Sequence, residues 1–219
     1  GQGTKSKVEQ EIAALGDAPM GVVTEARQAA LEISSGIGRG LRLDIAMERA
    51  ARGLDPRDRA FVHELVYGVA RLRGRLDHLV GRRVHAGLGS LDARVLDVLR
   101  LGAHQGAPDA AVSQAVSQAR RASGKGAAGL VNAVLRGVAD DGAGLELFPS
   151  FEDEPAAFLE TWGSHPRWLV DRWLADGRPM GATLRGEVRR AAVRQLVRVQ
   201  AQAQTACCRG LEHAPGLGE

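Results

Sequence analysis

Apolar residues recur through most of the chain at spacings of three and four, the period of an α-helix with one buried face. The clearest case is residues 54–80, where six apolar side chains share one stripe. These are Phe61, Leu65, Val69, Leu72, Leu76 and Leu79. Asp55 stands at the N-cap position before Pro56, and Asp58 adds a favourable charge in the first turn. The stretch therefore predicts one long helix, or two that meet at Gly74, packed against a core.

The same periodicity predicts helices on both sides of this stretch. They cover residues 22–34, 41–52, 90–102, 108–121 and 130–138, followed by two short helices at 154–162 and 166–176. Ser90 is the expected cap of its helix, and Gly102 is small enough for a close helix contact. Aromatic residues make up only 4% of the chain, which favours helices over a β-sandwich. The predicted fold is therefore all-α, a helical bundle.

Two glycine-rich segments, at residues 36–40 and 124–129, resemble phosphate-binding loops in composition. The second spells G-x-G-x-x-G through Gly124, Gly126 and Gly129. A dinucleotide-binding fold needs a strand before this motif and an acidic residue about 20 positions after it. Because the surrounding pattern is helical, we expect the first segment to be a helix end with a turn. We expect the second to be a flexible basic turn at a helix N-terminus, which can still receive a phosphate.

The composition, with 44% apolar and 25% charged residues among 219, is that of an ordinary soluble globular protein. No apolar run approaches 18 residues and the N-terminus has no signal-peptide pattern, so we expect no membrane partner and a cytoplasmic location. Cys207 and Cys208 are adjacent, which fits neither a disulfide framework nor a zinc site. Since the six histidines are scattered, we expect no metal.

The net charge of +3 is unevenly distributed along the chain. Residues 71–136 carry eleven basic and four acidic side chains, a net charge of +7. Residues 137–177 carry two basic and nine acidic side chains, a net charge of −7. A basic block on a folded helical core suggests a polyanion partner such as nucleic acid. The basic residues are mostly arginines, which suit bidentate phosphate contacts, although a GC-rich gene would give the same bias.

The C-terminal third differs in character from the bundle. Residues 140–154 form a predicted linker of glycine, proline and acidic residues, and Trp162, Trp168 and Trp173 follow within two short helices. Tryptophans can stack on bases, but at this spacing we expect them to pack onto the bundle. Residues 178–219, with a net charge of +4, have weak periodicity. They could form an RNA-binding helix, the start of a second domain or a frame-shifted end.

Five motifs in order along the chain resemble the NusB-type RNA-binding domain. They are DRAFV at residues 58–62, LVYGV at 65–69, LRLGAHQ at 99–105, AV at 115–116 and GLVNAVLR at 129–136. A further motif, SHPRWLVDRW at residues 164–173, resembles the segment that joins such a domain to the catalytic domain of bacterial rRNA cytosine-5 methyltransferases of the RsmB (Sun) family. The resemblance covers about residues 22–176.

The resemblance implies a bundle of two packed three-helix halves that binds RNA, specifically ribosomal RNA, and places a catalytic domain on it. The family's catalytic domain holds S-adenosylmethionine at a strand followed by a glycine-rich loop, and it uses two separate cysteines, one of them after a proline. Cys207-Cys208 follows Thr205-Ala206 and lacks this context. We therefore expect this chain alone to be no enzyme, to have no catalytic residue and to bind no cofactor.

The expected organisation has four parts. They are a disordered leader at 1–21, a NusB-like RNA-binding domain at 22–140, linker helices toward a missing methyltransferase domain at 141–177, and a basic tail at 178–219 that is truncated or frame-shifted.

The candidate RNA contacts are the members of the basic block nearest to helix ends and turns. They are Arg71, Arg73, Arg75, Arg82, Arg83, Arg120, Arg121, Lys125 and Arg136. Each alone is more often a solvated surface charge. As a set they favour RNA binding, because several neutralised phosphates give additive, salt-dependent affinity. Asp58, Arg59 and Asn132 are expected to have structural roles instead.

Two alternative functions stay open at this point. The first is a free-standing transcription antitermination factor that binds a leader RNA together with a ribosomal-protein partner. The tryptophan-rich extension argues against this alternative, since such a factor would not need it. The second is a complete enzyme whose catalytic residues are not recognisable, for which binding of S-adenosylmethionine would be the sign.

Overall fold

Helices make up nearly all of the regular structure in residues 23–175, the part of the chain that the structure, a computed structural model, describes. Eight α-helices and no β-strand lie within these residues, which confirms the predicted all-α fold. The helices are α1 (Glu25–Gly38), α2 (Leu43–Ala50), α3 (Pro56–Arg71), α4 (Arg73–Gly81), α5 (Ala93–His104), α6 (Asp109–Asp141), α7 (Pro155–Thr161) and α8 (Arg167–Ala175). None of these helices is long and apolar enough to cross a membrane. The predicted leader, the basic tail and Cys207-Cys208 lie outside the described residues.

α3 begins as the sequence predicts. Asp55 is its N-cap, and a carboxylate oxygen of Asp55 accepts a 2.8 Å hydrogen bond from the backbone N–H of Asp58. Pro56 lies in the first turn, where its missing N–H leaves no hydrogen bond unmade. The helix gives way to α4 at Leu72 and not at Gly74, so the stretch forms two helices with a junction two residues earlier than expected.

The buried face of α3 is rotated from the predicted stripe. Leu65 and Val69 are buried as expected, but Phe61 is 37% exposed. Val62 and Val66 are fully buried in its stead. Each residue is turned about 100° from the one before it, so Val62 faces the core while Phe61 is left at the edge of the buried sector.

Two helix ends differ from the prediction. α1 continues through Gly36 and ends at Gly38, and only Gly40, with φ +89°, lies outside the helix. Gly36 is a packing position, where an added Cβ would lie 3.4 Å from a leucine methyl group. α5 is capped by Asp92 rather than Ser90, because the Asp92 carboxylate accepts hydrogen bonds from two backbone N–H groups of the first turn.

α6 contains a sharp break at Ser123 and Gly124, whose backbone angles are not helical. Gly124 has φ +83°, a left-handed conformation that glycine adopts without strain. The element therefore consists of two helical segments, residues 109–122 and 125–141, as the glycine pattern predicts. We call residues 123–126 the α6 turn.

The helices pack in two groups. α1 packs on α2 and on α3, α5 packs on α4 and α6, and contacts of α1 and α3 with α5 join the groups. This arrangement agrees with a bundle of two halves, of which the second contains the broken α6. Gly102 of α5 allows one close approach as predicted, since an added Cβ there would lie 2.6 Å from the Leu135 Cδ1 atom of α6.

A buried charged network joins the two groups. Arg100 of α5 donates hydrogen bonds of 2.7 and 2.9 Å to the two carboxylate oxygens of Asp77 in α4. It also donates at 3.2 Å to Asp97, whose other oxygen accepts a 3.1 Å hydrogen bond from the Ser35 hydroxyl of α1. Both carboxylates thereby compensate the burial of one guanidinium, and α1, α4 and α5 are fixed relative to one another.

The segment after α6 packs on α4. Phe148 and Trp162 are buried with ring centroids 5.0 Å apart, and Phe148 also stacks on His78 of α4 at 4.8 Å. Gly74 makes the contact with α7 possible, because an added Cβ there would lie 2.2 Å from the carbonyl oxygen of Glu160. The packing of Trp162 agrees with the expectation for the tryptophans.

The first residues of α8 belong to the same compact unit as α1 to α7. Trp168 is 67% exposed, so the prediction that the tryptophans pack onto the bundle is wrong for this residue. The unit that contains α1 to α7 ends at Val170, and a second unit begins at Asp171, inside α8.

His104, the last residue of α5, packs against Gly68 of α3. An added Cβ at Gly68 would lie 2.0 Å from the Nε2 atom of the His104 ring. Burial lowers the pKa of His104, Arg71 lowers it further, and Glu64 opposes the shift. The folded protein therefore favours the neutral imidazole.

We expect Gly74→Ala to lower the free energy of unfolding by about 1–3 kcal/mol, because the new methyl group meets a backbone carbonyl that cannot rotate away. Gly129→Ala is the matched control, since nothing lies within 4 Å of its added Cβ. Alanine is the better helix former, so this variant should gain up to about 1 kcal/mol. Urea unfolding measures both. Equal stability of the two variants would show that α4 and α7 do not approach this closely.

We also expect the protein to lose stability as the pH falls below about 6.5, the ordinary pKa of histidine. The unfolded chain takes up a proton on His104 there, whereas the folded protein resists it until a lower pH, so acid favours unfolding in this window. His104→Gln should flatten the pH dependence of the stability measured by urea unfolding. Part of the slope should remain because burial also lowers the pKa of His165. An identical slope in His104→Gln and the unmodified protein contradicts the assignment.

Candidate nucleic-acid interface

The junction of α3 and α4 carries three of the predicted contacts in three different environments. Arg71 is exposed, and its side chain forms no hydrogen bond or ion pair with any described residue. Arg73 is exposed and lies 3.9 Å from the Asp77 carboxylate one turn further along α4. Since Asp77 already accepts two hydrogen bonds from Arg100, its attraction for Arg73 is weak.

Arg75 is placed differently from its prediction as a surface contact. Its Nε and Nη2 atoms donate to the Trp162 carbonyl oxygen at 3.1 and 2.7 Å, and its Cζ atom lies 3.6 Å from the centroid of the Trp162 ring. Its backbone N–H donates to the Ser164 hydroxyl at 2.9 Å. Burial lowers the pKa of Arg75 to about 10. This guanidinium attaches the segment after α6 to α4, and its Nε and Nη2 donors are already used within the protein.

The end of α4 carries a paired and an unpaired arginine. Arg83 forms an ion pair with Asp141 at the end of α6, including a 2.8 Å hydrogen bond from Nε. The same side chain lies over Gly137, where an added Cβ would come within 2.9 Å of Nε. Arg82 is exposed, and its side chain has no hydrogen bond or ion pair within residues 23–175. Arg82 therefore points to solvent while Arg83 joins two helices.

Three basic residues lie at or just before the α6 turn. Arg120 and Arg121 precede it, Lys125 lies within it, and Arg121 and Lys125 are exposed. Neither arginine side chain makes a hydrogen bond or ion pair with the described part of the chain. The segment at 125–141 starts here, and the free N–H groups of a helix N-terminus favour an anion.

A polar cleft of about 400 Å³ lies beside this turn, between α1, α5 and α6. Its lining residues are Gln28, Leu31, Arg94, Gln118, Arg121 and Ala122. Arg94 pairs with Glu32, which also accepts a 2.8 Å hydrogen bond from Gln28. Glu32 thus neutralises Arg94, and Arg121 remains the uncompensated cation of the cleft.

Arg136 is drawn into a network on α6. It lies 3.4 Å from the Asp109 carboxylate and donates to the Asn132 side-chain oxygen at 3.3 Å. Asn132 itself is buried, in agreement with its expected structural role. The pair with Asp109 is exposed and so contributes little to stability, but it reduces the charge that Arg136 offers to a phosphate.

The structure does not gather the nine predicted residues into one site. Arg71 lies near His104 at the C-terminal end of α5, whereas Arg121 shares a cleft with Arg94 at the N-terminal end. Residues 94 and 104 are separated by about 15 Å along a helix axis. Arg71 and Arg121, two of the cations without an ionic partner among the described residues, therefore lie near opposite ends of α5 and not in one pocket.

The sequence could not predict the partners that lie far along the chain from the candidate arginines. The carbonyl that binds Arg75 is 87 residues away, and Asp141 is 58 residues from Arg83. Only the pair of Arg73 with Asp77 had a signal, namely the i,i+4 spacing of opposite charges on a helix. No feature of the sequence could have separated Arg82 from Arg83.

The described residues do not form the S-adenosylmethionine site that the methyltransferase resemblance implies. Residues 23–175 contain no β-strand, so the strand and glycine-rich loop expected for S-adenosylmethionine are not found there. The G-x-G-x-x-G sequence lies at the α6 turn between two helical segments. The placement of this motif at a turn agrees with the prediction from the helical pattern around it.

A family model described as the NusB family matches residues 24–140. The chain is 38% identical over 129 residues to a putative methyltransferase of Mycobacterium tuberculosis, covering 55% of this chain and 28% of the relative. It is 41% identical over 153 residues to ribosomal RNA small subunit methyltransferase B of Thermus thermophilus, covering 67% of this chain and 34% of the relative. No solved structure matches the chain.

A third relative is also matched over only part of its length. The chain is 34% identical over 128 residues to a probable ribosomal RNA small subunit methyltransferase B of Bacillus subtilis, covering 55% of this chain and 27% of the relative. The chain thus spans about a third or less of the length of these relatives. The matched residues include α1 to α5, nearly all of α6, the Arg100 network and all nine candidate contacts. Since the matched residues are more than half of the chain, this protein belongs to the NusB family.

Proposed function

We propose that this protein binds ribosomal RNA through phosphate contacts of Arg71, Arg82, Arg120 and Arg121, with Lys125 adding charge at the α6 turn. The observation that carries this proposal is that these four arginines form no ion pair with the described residues, within a block of net charge +7. An uncompensated guanidinium keeps its full charge for a phosphate, whereas a paired one must first give up its carboxylate. Membership of the NusB family and the similarity to ribosomal RNA methyltransferases support the role in RNA binding.

Four of the predicted contacts are weaker candidates for physical reasons. Arg73, Arg83 and Arg136 are partly neutralised by Asp77, Asp141 and Asp109. Arg75 binds the carbonyl oxygen and the ring of Trp162, so we leave it out of the proposed set.

The packing of the segment after α6 favours the methyltransferase-type alternative over a free-standing antitermination factor. The family match ends at residue 140, yet the chain continues to Trp162 and Ser164 in direct contact with α4. We propose that this contact fixes the direction in which the chain leaves the RNA-binding helices. In this proposal the described residues bind RNA and perform no methyl transfer.

The salt dependence of binding tests the proposed contacts. We expect the variant in which Arg71, Arg82, Arg120 and Arg121 are all changed to Gln to bind fragments of small-subunit ribosomal RNA more weakly, since four phosphates lose their partner. The slope of log K against log salt should fall by about 0.7 for each lost contact, and so by up to about three. Filter binding over a range of salt concentrations measures both quantities.

A variant with the same change in net charge is the control. Arg39, Arg42, Arg49 and Arg52 are exposed and lie before the basic block, and the variant with all four changed to Gln should keep the original slope to within about one. Equal losses of affinity and of salt slope in the two variants would mean that binding depends only on net charge, and the proposed surface would be wrong.

Arg71 and Arg75 should behave in opposite ways. Arg75→Gln should lower the free energy of unfolding by about 1–3 kcal/mol, because the Trp162 carbonyl and ring lose their cation, and it should leave the salt slope unchanged. Arg71→Gln should lower the slope and leave the stability within about 0.5 kcal/mol. Urea unfolding and filter binding together distinguish the two roles, and a lowered slope in Arg75→Gln would restore it to the RNA surface.

A further inference from the structure

Two stacked rings lie on the exposed face of α3. The rings of His63 and Tyr67 have centroids 4.1 Å apart and planes 21° from parallel. Both side chains are exposed, and Tyr67 is the single tyrosine in a chain with few aromatic residues. The buried face of α3 consists of other residues, so this stack does not contribute to the core.

The stack lies on the same face of α3 as one of the proposed phosphate contacts. His63, Tyr67 and Arg71 are each four residues apart, a spacing that places them on one helix face. The face thus presents two rings followed by a guanidinium. Ala70, three residues after Tyr67, is a small residue and is exposed, and Tyr67 itself is 37% exposed. Glu64 lies two turns before Arg71 and forms no ion pair with it among the described residues.

We propose that an unpaired base of the bound RNA stacks on the Tyr67 ring while Arg71 contacts a neighbouring phosphate. The proposal rests on the proposed function and specifies it further, because it selects single-stranded over duplex RNA. A base in a duplex is stacked on both faces, whereas an unpaired base can leave the strand and stack on an aromatic side chain. Such stacking tolerates any base, and its loss on substitution corresponds to about 5- to 100-fold in affinity.

The test compares Tyr67 variants on single-stranded and duplex RNA. Short fragments that tile small-subunit ribosomal RNA are screened with the full chain, and the tightest is used alone and annealed to its complement. Tyr67→Ala should weaken binding of the single strand by about 5- to 100-fold and leave the salt slope unchanged. Tyr67→Phe keeps the ring and should stay within about twofold of the unmodified protein. Duplex binding should not respond to either change.

Two further variants keep the result interpretable. Phe61→Ala removes another aromatic side chain of α3 with the same exposed fraction, 37%, on a different face, and it should bind the single strand normally. Tyr67→Leu keeps the bulk without the ring, and it replaces Tyr67→Ala if that variant fails to fold.

The outcomes separate the two proposals. Normal single-strand affinity of Tyr67→Ala or Tyr67→Leu, with ordinary salt dependence, overturns the stacking site and leaves the proposed function standing. An unmodified protein that binds none of the fragments, or binds without salt dependence, overturns the proposed function and the stacking site with it.

Discussion

The buried guanidinium of Arg100 is the constraint on which the rest of the fold depends. A charge removed from water must be compensated, and Arg100 takes up both oxygens of Asp77 and one of Asp97. The hydroxyl of Ser35 completes the hydrogen bonds of Asp97 and brings α1 into the same network. The two helical groups therefore meet through one specific arrangement as well as through apolar contact.

This network also determines which arginines remain for a ligand. The block at residues 71–136 has only four acidic side chains, and two of them are committed to Arg100. Asp109 pairs with Arg136, and none of the four carboxylates of the block forms an ion pair with Arg71, Arg82, Arg120 or Arg121. The predominance of arginine over acidic residues, which is only a count in the sequence, becomes in the fold a surface of cations without partners.

Local features of the fold were predictable from the sequence, and contacts between distant residues were not. The Asp55 cap, the break at Gly124 and the close approach at Gly102 follow from the chemistry of one residue type in its immediate context. The rotation of α3 that exposes Phe61 depends on neighbouring helices. The attachment of Arg75 could not be predicted, because its partner is a backbone carbonyl that has no signature in the sequence.

The central claim is that the four arginines of the block at residues 71–136 that have no ionic partner among the described residues, and not the arginine fixed by Trp162, contact RNA. The most direct measurement is an NMR titration of the arginine Nε–Hε resonances with a single-stranded fragment of small-subunit ribosomal RNA. The account predicts shifts at Arg71, Arg82, Arg120 and Arg121 and none at Arg75. Shifts confined to Arg75 or to the arginines before residue 53, with the four unpaired arginines unmoved, would contradict it.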